Sequence, residues 1–215
     1  MKMGHDQSQD VPSPIDLRTE KDAREWAASA MSKRPWRAEF FQRFVEELQS
    51  LDVRPLQILE LGSGPGFLAR CILDAIPSAE YAMLDFSPAM HHLARERLAP
   101  HIGRQLLVNF KDDGWTVGLG EFDAIVTHQA VHELRHKKHA TTLHRSARTP
   151  LRPRGVYLVC DHYVGSDGMS NASLYMNIDE QCAALQADAV TLLDKINRPA
   201  GVRHAIAAMP QAMGR

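Results

Sequence analysis

Three glycines in alternation, Gly62, Gly64 and Gly66, follow a short apolar run that carries one acid, Glu60, and precede a second apolar run that opens at Phe67. That order reads as a strand, a tight turn and the start of a helix. Glycine serves where a backbone turns sharply and lets a ligand come close, and the N–H groups of a helix start face whatever is bound there. Such a turn points to a nucleotide-like ligand, and its neighbours narrow the choice. A dinucleotide-binding turn carries glycines at relative positions one, three and six. Here the sixth position is Phe67, and the third glycine comes one residue early, at Gly66. Glu60, two residues ahead of the first glycine, would repel a pyrophosphate and would suit a ligand with an ammonium group. Nineteen residues past Gly66, Asp85 ends the run Tyr81-Ala82-Met83-Leu84. An acid about twenty residues beyond such a turn is placed for ribose hydroxyls, because a carboxylate can accept from both members of a diol.

A second group of residues with chemical potential is rich in histidine. His132-Glu133-Leu134-Arg135-His136 spells H-E-x-x-H, which on a helix sets two histidines on one face with a glutamate as general base and would make a zinc metallopeptidase. A catalytic zinc takes a third protein ligand, and no downstream spacing marks one. His139 stands where the extended pattern has glycine. The segment also follows a buried strand within a strand–helix series, and a chain with eleven histidines offers chance matches. The zinc reading is therefore the lesser one, and no metal ligand is expected. Cys71 and Cys160 lie in apolar runs and read as core residues, not nucleophiles.

The elements that must position these groups follow from apolar periodicity. Phe67, Leu68, Cys71, Ile72, Ala75 and Ile76 line one side of a helix that Pro77 ends. Ser87-Pro88 supplies a cap and a first helical residue after the strand that ends at Asp85. Leu106-Leu107-Val108-Asn109 reads as a third strand. Phe122 to Thr127 reads as a fourth, running through His128 into a long helix that includes His132 and His136. Val156 to Asp161 is a continuous apolar run of the kind found in strands covered on both faces. Ile178 to Ala189 is helical in pattern, and Val190–Asn197 and Val202–Ala208 are two alanine-rich strand candidates. Ahead of the glycine turn stand two helices. One covers Lys21 to Met31 with Thr19 as its cap; the other starts at Pro35 and carries the stripe Trp36, Phe40, Phe44, Val45 and Leu48. Strands alternating with helices predict an α/β fold with a mainly parallel sheet. Residues 1–15, polar and with Pro12 and Pro14, read as a flexible N-terminal tail, and residues 16–215 as a single domain.

Composition sets the outer limits. With 215 residues, 44% of them hydrophobic and 24% charged, the chain suits one globular domain with a real core. A formal net charge of −1 argues against a broad nucleic-acid footprint. Three scattered cysteines fit a reducing compartment, so a cytoplasmic location is expected. No apolar run is long enough to span a bilayer, and no membrane association is expected.

Glu60-x-Gly62-x-Gly64-x-Gly66 with Asp85, followed by the "FDAIVT" and "LRPRGVYLVCD" segments, resembles the class I S-adenosyl-L-methionine-dependent methyltransferases. The resemblance covers Leu56 to about Tyr163. It implies a doubly wound, Rossmann-like, seven-stranded sheet with its last strand antiparallel, and S-adenosyl-L-methionine as cofactor with S-adenosyl-L-homocysteine as product. Carried onto this sequence, it implies cofactor contacts from Glu60, Gly62, Ser63, Gly64 and Gly66, then Asp85, Phe86, Ser87 and Met90, and from His128 after the fourth strand. At the third strand the family usually has Asp as the adenine-amino acceptor. Counting back six from Trp115 puts Asn109 there, beside Phe110, with Asp112 as the competing assignment. Trp26, Arg34 and Trp36 would help to cover the cofactor. His132 and His162 are the base candidates, needed only if the acceptor arrives protonated. Asp161 and Tyr163 share that end of the sheet. The expected activity is methyl transfer to a small-molecule acceptor. A catalytically silent cofactor-binding module is the alternative, and a nicotinamide oxidoreductase is disfavoured by Glu60 and Phe67.

Overall fold

A computed structural model describes residues 9–99, 101, 103–164, 173–185, 191–197 and 202–210. Two helices, α1 (Glu20–Lys33) and α2 (Arg37–Ser50), precede an alternation of β1 (Gln57–Leu61), α3 (Phe67–Ala75), β2 (Glu80–Asp85), α4 (Pro88–Leu98) and β3 (Arg104–Leu107). Then come β4 (Phe122–His128), a short 3-10 turn (Val131–Leu134), α5 (Lys137–Ser146), β5 (Leu151–Val164), α6 (Ile178–Leu185), β6 (Thr191–Asn197) and β7 (Val202–Pro210). The strands form one sheet in the order β3-β2-β1-β4-β5-β7-β6. The first five run parallel, while β7 is antiparallel to both of its neighbours.

This order places the functional cleft. The chain builds outward from β1 to β3, then crosses to the other side of β1 for β4. The loops leaving β1 and β4 therefore diverge, and open α/β sheets bind ligands in the crevice at such a switch point.

The parallel strands are buried on both faces, as their apolar runs predict. Ile58, Met83, Val126 and Leu158 pack under Phe40, Phe44 and Leu48 of α2 and Ile72 of α3. Leu59, Leu84, Ile125 and Val159 pack on the opposite face with Trp115, Leu134 and Leu143. Helix α1 lies on α4 through Ala23, Ala89, Met90 and Leu93. The Thr19 hydroxyl caps α1 by accepting from the Asp22 N–H at 3.2 Å, and the Ser87 hydroxyl caps α4 by accepting from Met90 at 3.1 Å.

Several boundaries differ from the sequence expectation, among them the start of β5, at Leu151 instead of Val156. Helix α2 begins at Arg37 instead of Pro35. Strand β3 ends at Leu107, so Asn109 lies in the turn beyond it. The long helix expected after β4 is broken. Arg135 adopts left-handed φ 65°, and the next residue, His136, is extended and caps α5. Left-handed backbone on a side-chain-bearing residue costs about 1–3 kcal/mol, and three hydrogen bonds offset it. The Arg135 carbonyl accepts from the Val11 N–H at 2.8 Å, and its guanidinium donates to the carbonyls of Val11 and Pro12 at 2.9 and 2.7 Å. Among the described residues no helix is long and apolar enough to cross a membrane.

Candidate functional site

The segments after β1, β2, β3 and β4, with His162 of β5, line a cleft of about 730 Å³, within the usual range for a small-molecule site of roughly 300–1,000 Å³. One wall is made by the glycine turn. The Gly62 and Ser63 N–H groups both donate to the Leu84 carbonyl, at 2.8 and 3.0 Å, which fastens the turn to the end of β2. Gly62 has φ +69°, and a Cβ there would stand 2.2 Å from the Cβ of Ala130. Only glycine lets the β1 and β4 loops meet so closely. Gly64 donates to Asp85 Oδ2 at 2.7 Å, and a Cβ there would meet nothing within 4 Å. Ser63 lines the cleft, and its buried hydroxyl has no hydrogen-bond partner among the described residues.

Two carboxylates complete this wall. Glu60 is 3% exposed and its Oε2 accepts from the Tyr81 hydroxyl at 3.0 Å. Burial, aided by nearby Asp85, pushes its carboxyl up to about 8 against that hydrogen bond. An entering cation would favour its ionised form. Asp85 is raised by burial, opposed by N–H donors from Ser87 and Gly64. Its two oxygens each take one backbone N–H, Oδ1 from Ser87 at 2.9 Å and Oδ2 from Gly64. Each oxygen retains acceptor capacity for a diol. Phe86, Met90, Asn109, Phe110 and His128 also line the cleft. The Phe110 ring stands edge-on to Trp115 at 5.2 Å, and the His128 ring lies 4.8 Å from Phe41. Asn109 Oδ1 accepts from the Lys111 N–H at 3.1 Å, whereas Asp112 lies outside the lining.

Two residues expected in the cofactor wall lie outside it. Gly66 caps α3 in the left-handed conformation, and a Cβ there would press on Leu98 and Ala94 at 3.2 and 3.3 Å, so it serves helix packing. Ser87 is fully buried and its hydroxyl donates to the Leu17 carbonyl at 2.5 Å. Of the three covering candidates, Trp26 and Arg34 line the cleft, while Trp36 packs edge-on against Phe40 at 5.8 Å in the core.

The opposite wall carries the histidines. His132 Nδ1 lies 2.5 Å from Asp161 Oδ1, and its Nε2 lies 3.3 Å from Glu133 Oε1. Burial works against the imidazolium, yet the Asp161 and Glu133 carboxylates outweigh it and hold His132 at about 9. Burial likewise opposes the Asp161 carboxylate, but His132 and His162 hold its carboxyl well below the usual range. The His162 ring stands perpendicular to that of His132 at 4.6 Å. The side chain of Tyr163 lies outside the described residues.

His136 takes no part in this wall. Its Nδ1 accepts from the Lys138 N–H at 3.0 Å as the cap of α5. The two histidines of H-E-x-x-H are therefore on separate elements, and the zinc-peptidase arrangement is overturned. Ligand atoms of His132, Asp161 and His162 do lie within 4.8 Å of one another. Hydrogen bonds account for that cluster: Asp161 accepts from the N–H groups of Val131 at 2.6 Å, His132 at 3.3 Å and His162 at 2.6 Å, besides facing the His132 ring.

Two features were not foreseen. Residues 13–18, part of the expected tail among them, line the cleft. Asp10 anchors this segment to Lys111 at 2.6 Å and His139 at 2.9 Å. No periodicity marks such a strap. The second is Arg37, 4% exposed, whose Nε and Nη2 donate to Gln129 Oε1 at 2.9 and 2.6 Å. Here a signal existed, because Arg37 precedes Phe40, Phe41, Phe44, Val45 and Leu48 in the buried stripe of α2.

Residues 59–157 match the family model described as a methyltransferase domain. A malonyl-[acyl-carrier protein] O-methyltransferase of Legionella pneumophila is 32% identical over 94 residues, covering 44% of this chain and 33% of that protein. The chain thus spans about a third of the length of that curated relative. Among solved structures, an O-methyltransferase family protein from Burkholderia thailandensis aligns with a TM-score of 0.64 at 14% identity, over 93% of this chain and 65% of the other. An N-methyltransferase from Bradyrhizobium japonicum, in complex with S-adenosyl-L-homocysteine, aligns with a TM-score of 0.64 at 15% identity, over 85% and 91% of the two chains.

Proposed function

We propose that this class I methyltransferase-like domain binds S-adenosyl-L-methionine in the cleft and methylates a small-molecule acceptor at the His132 wall. The observation that carries the reading is that one cleft joins Glu60, the glycine turn and Asp85 on one side to His132, which Asp161 backs at 2.5 Å, on the other. The residues suit the cofactor. Glu60 meets its ammonium, Asp85 its ribose hydroxyls, and Asn109 and Phe110 flank the adenine. The buried, unpartnered Ser63 hydroxyl is a polar atom that such a ligand would satisfy. S-adenosyl-L-methionine supplies a methyl group on a sulfonium, open to in-line displacement. The protein's tasks are to align the nucleophile and exclude water. Residues 13–18, which line the cleft, would help to exclude water, and His132 holds or takes the acceptor's proton.

His132 is an imidazolium at neutral pH, since it is held at about 9. It takes a proton only after losing its own, so transfer to a neutral acceptor speeds up as pH rises towards that value. His162, 4.6 Å away, is the second base candidate. The names of the relatives include both O- and N-methyltransferases and so bear on the reaction, not on the acceptor.

Calorimetric titration tests the cofactor. S-adenosyl-L-homocysteine should bind and NAD should not. Methyl-labelled cofactor, incubated with phenols, carboxylic acids, amines and thiols, should then label at least one class. Binding without turnover on any of them would favour a silent module, and NAD binding alone would overturn the reading.

A further inference from the structure

We infer that Arg135 is a positioning residue that ties docking of the N-terminal segment, residues 10–18, to the setting of His132. The inference rests on the proposed function for the role of His132 and deepens it by naming what holds that residue ready. Arg135 stands between the two. On one side its Nε and Nη2 donate to the carbonyls of Val11 and Pro12 at 2.9 and 2.7 Å, and its own carbonyl accepts from the Val11 N–H at 2.8 Å. On the other side its Nη1 lies 3.7 Å from Glu133 Oε2, and the second oxygen of Glu133 lies 3.3 Å from His132 Nε2. Asp161 holds Nδ1 of the same ring. One line of polar contacts thus runs from the segment through Arg135 and Glu133 to His132 and Asp161.

The segment buries little of its own surface. Val11, Ile15 and Leu17 are half-buried, and its other side chains are exposed. A stretch with so few buried apolar contacts opens locally at low free energy, so discrete polar anchors set its place. Asp10 meets Lys111 at 2.6 Å, His139 at 2.9 Å and Lys138 at 3.7 Å, and the Leu17 carbonyl accepts from the Ser87 hydroxyl at 2.5 Å. Of these anchors Arg135 is the one that also meets the histidine wall. The two carboxylates flanking His132 are held differently. Asp161 is fixed by backbone N–H groups of Val131, His132 and His162. The described residues that meet the Glu133 carboxylate are His132 and Arg135, so its place at Nε2 depends on Arg135. Burial works against that carboxylate, but His132 and Arg135 outweigh it and hold its carboxyl below the usual value. The other titratable groups around the His132 ring are His162 of β5, Tyr175 and, in a small adjoining pocket, His144 of α5. The left-handed φ of Arg135 ends the turn that carries His132 and Glu133, and such strain persists where the surroundings fix it. When the segment lifts, the guanidinium loses two fixed acceptors, and Glu133 loses the fixed cation that keeps it at Nε2.

Two variants separate coupling from simple support. Arg135→Gly accommodates the left-handed backbone and removes the guanidinium. Val11→Pro removes the donor to the Arg135 carbonyl and changes no charge. Each is first shown to be folded by circular dichroism, and where one fails to fold the other decides. Two readings need no turnover: tryptic cleavage after Arg18, and titration of the His132 ring by NMR, its signal identified by its absence from His132→Ala. Cleavage should quicken roughly tenfold in Arg135→Gly, as for loss of a charge-assisted hydrogen bond, and less in Val11→Pro. The His132 midpoint should fall in both, because Glu133 no longer stays at Nε2, and the pH at which the rate rises should fall with it. In a Glu133→Gln background Arg135→Gly should add no further fall. Removing a nearby positive charge would by itself raise the midpoint. A rise in Arg135→Gly, an unchanged midpoint in either variant despite faster cleavage, or unchanged cleavage in both would therefore overturn the inference. S-adenosyl-L-homocysteine is titrated into the same wild-type protein; its failure to bind would overturn the proposed function and leave the two readings to decide the role of Arg135.

Discussion

The two walls of the cleft are built differently. The glycine-turn wall is largely backbone: Gly62 and Ser63 hang from Leu84, and Gly64 from Asp85. Its parts come from one strand–turn–helix unit and the strand after it. The histidine wall is made of side chains brought from far apart. His132 meets Asp161 across 29 residues, Arg37 meets Gln129 across 92, and Arg135 meets Val11 across 124. A wall of backbone donors fixes a ligand by shape and changes little with sequence. A wall of paired side chains can be retuned one residue at a time. The first suits a common cofactor and the second a particular acceptor.

Deleting His132 should break the comparison most sharply. His132→Ala removes the group proposed to handle the acceptor's proton, a contribution of about 10²–10⁴ in rate, and should leave S-adenosyl-L-homocysteine affinity unchanged. Asp161→Asn should act through the same pair. Without the carboxylate, the upward shift of His132 falls away and the rise of rate with pH moves below 9. Stability gives an independent reading. A histidine raised from 6.5 to about 9 contributes stability in full below 6.5, and loses it as pH rises through the folded value. Wild type should therefore lose thermal stability between those values, and Asp161→Asn should lose far less there. Thermal melts across that pH range, with rates measured in parallel, check both. A fall in cofactor affinity equal to the fall in rate would merge the two walls.

A smaller effect is expected from Asp85→Ala. It removes the hydrogen bonds proposed to the ribose, worth about 1.5–3 kcal/mol at most, enough to weaken S-adenosyl-L-homocysteine at least tenfold by calorimetry. Gly64 and Ser87 also lose an acceptor, so the melting temperature should fall as well. Unchanged affinity in a destabilised protein would show Asp85 to be a brace for the turn and nothing more.

The difference between the walls also explains what the sequence could reveal. Glu60, the glycines and Asp85 are legible because turn geometry and strand length fix their spacing locally. The limits of that legibility are local too. Gly66 and Ser87 belong to the pattern, yet their burial under Leu98 and Leu17 depends on packing that spacing does not record. On the histidine wall the residue types were readable and their partnership was not. In the sequence Asp161 ends an apolar run like any other strand-terminal acid, and only the pairing of β4 with β5, within which it lies, brings it to His132. The strap carries no periodic signal, because its order comes from single anchors such as Asp10 and Arg135.

The smallest effect should come from the second histidine of the H-E-x-x-H run. On one helix beside a shared ion, His132 and His136 would be equivalent, and replacing either would do equal damage. The structure separates them by the left-handed Arg135. His136 is 8% exposed, and its Nδ1 accepts from the Lys138 N–H at the start of α5. That is a cap, and removing a capping side chain costs about 0.5–2 kcal/mol. His136→Ala should accordingly lower the melting temperature by a few degrees, leave S-adenosyl-L-homocysteine affinity unchanged and leave the transfer rate close to wild type. His136→Asn, which retains a capping oxygen, should recover most of the lost stability. The pairing with His132→Ala is what makes the measurement informative, since that variant should show a large loss of rate with little loss of affinity. A loss of rate in His136→Ala as large as in His132→Ala, reproduced in wild type by a chelator, would return the two histidines to one site and overturn the division of the cleft into two walls.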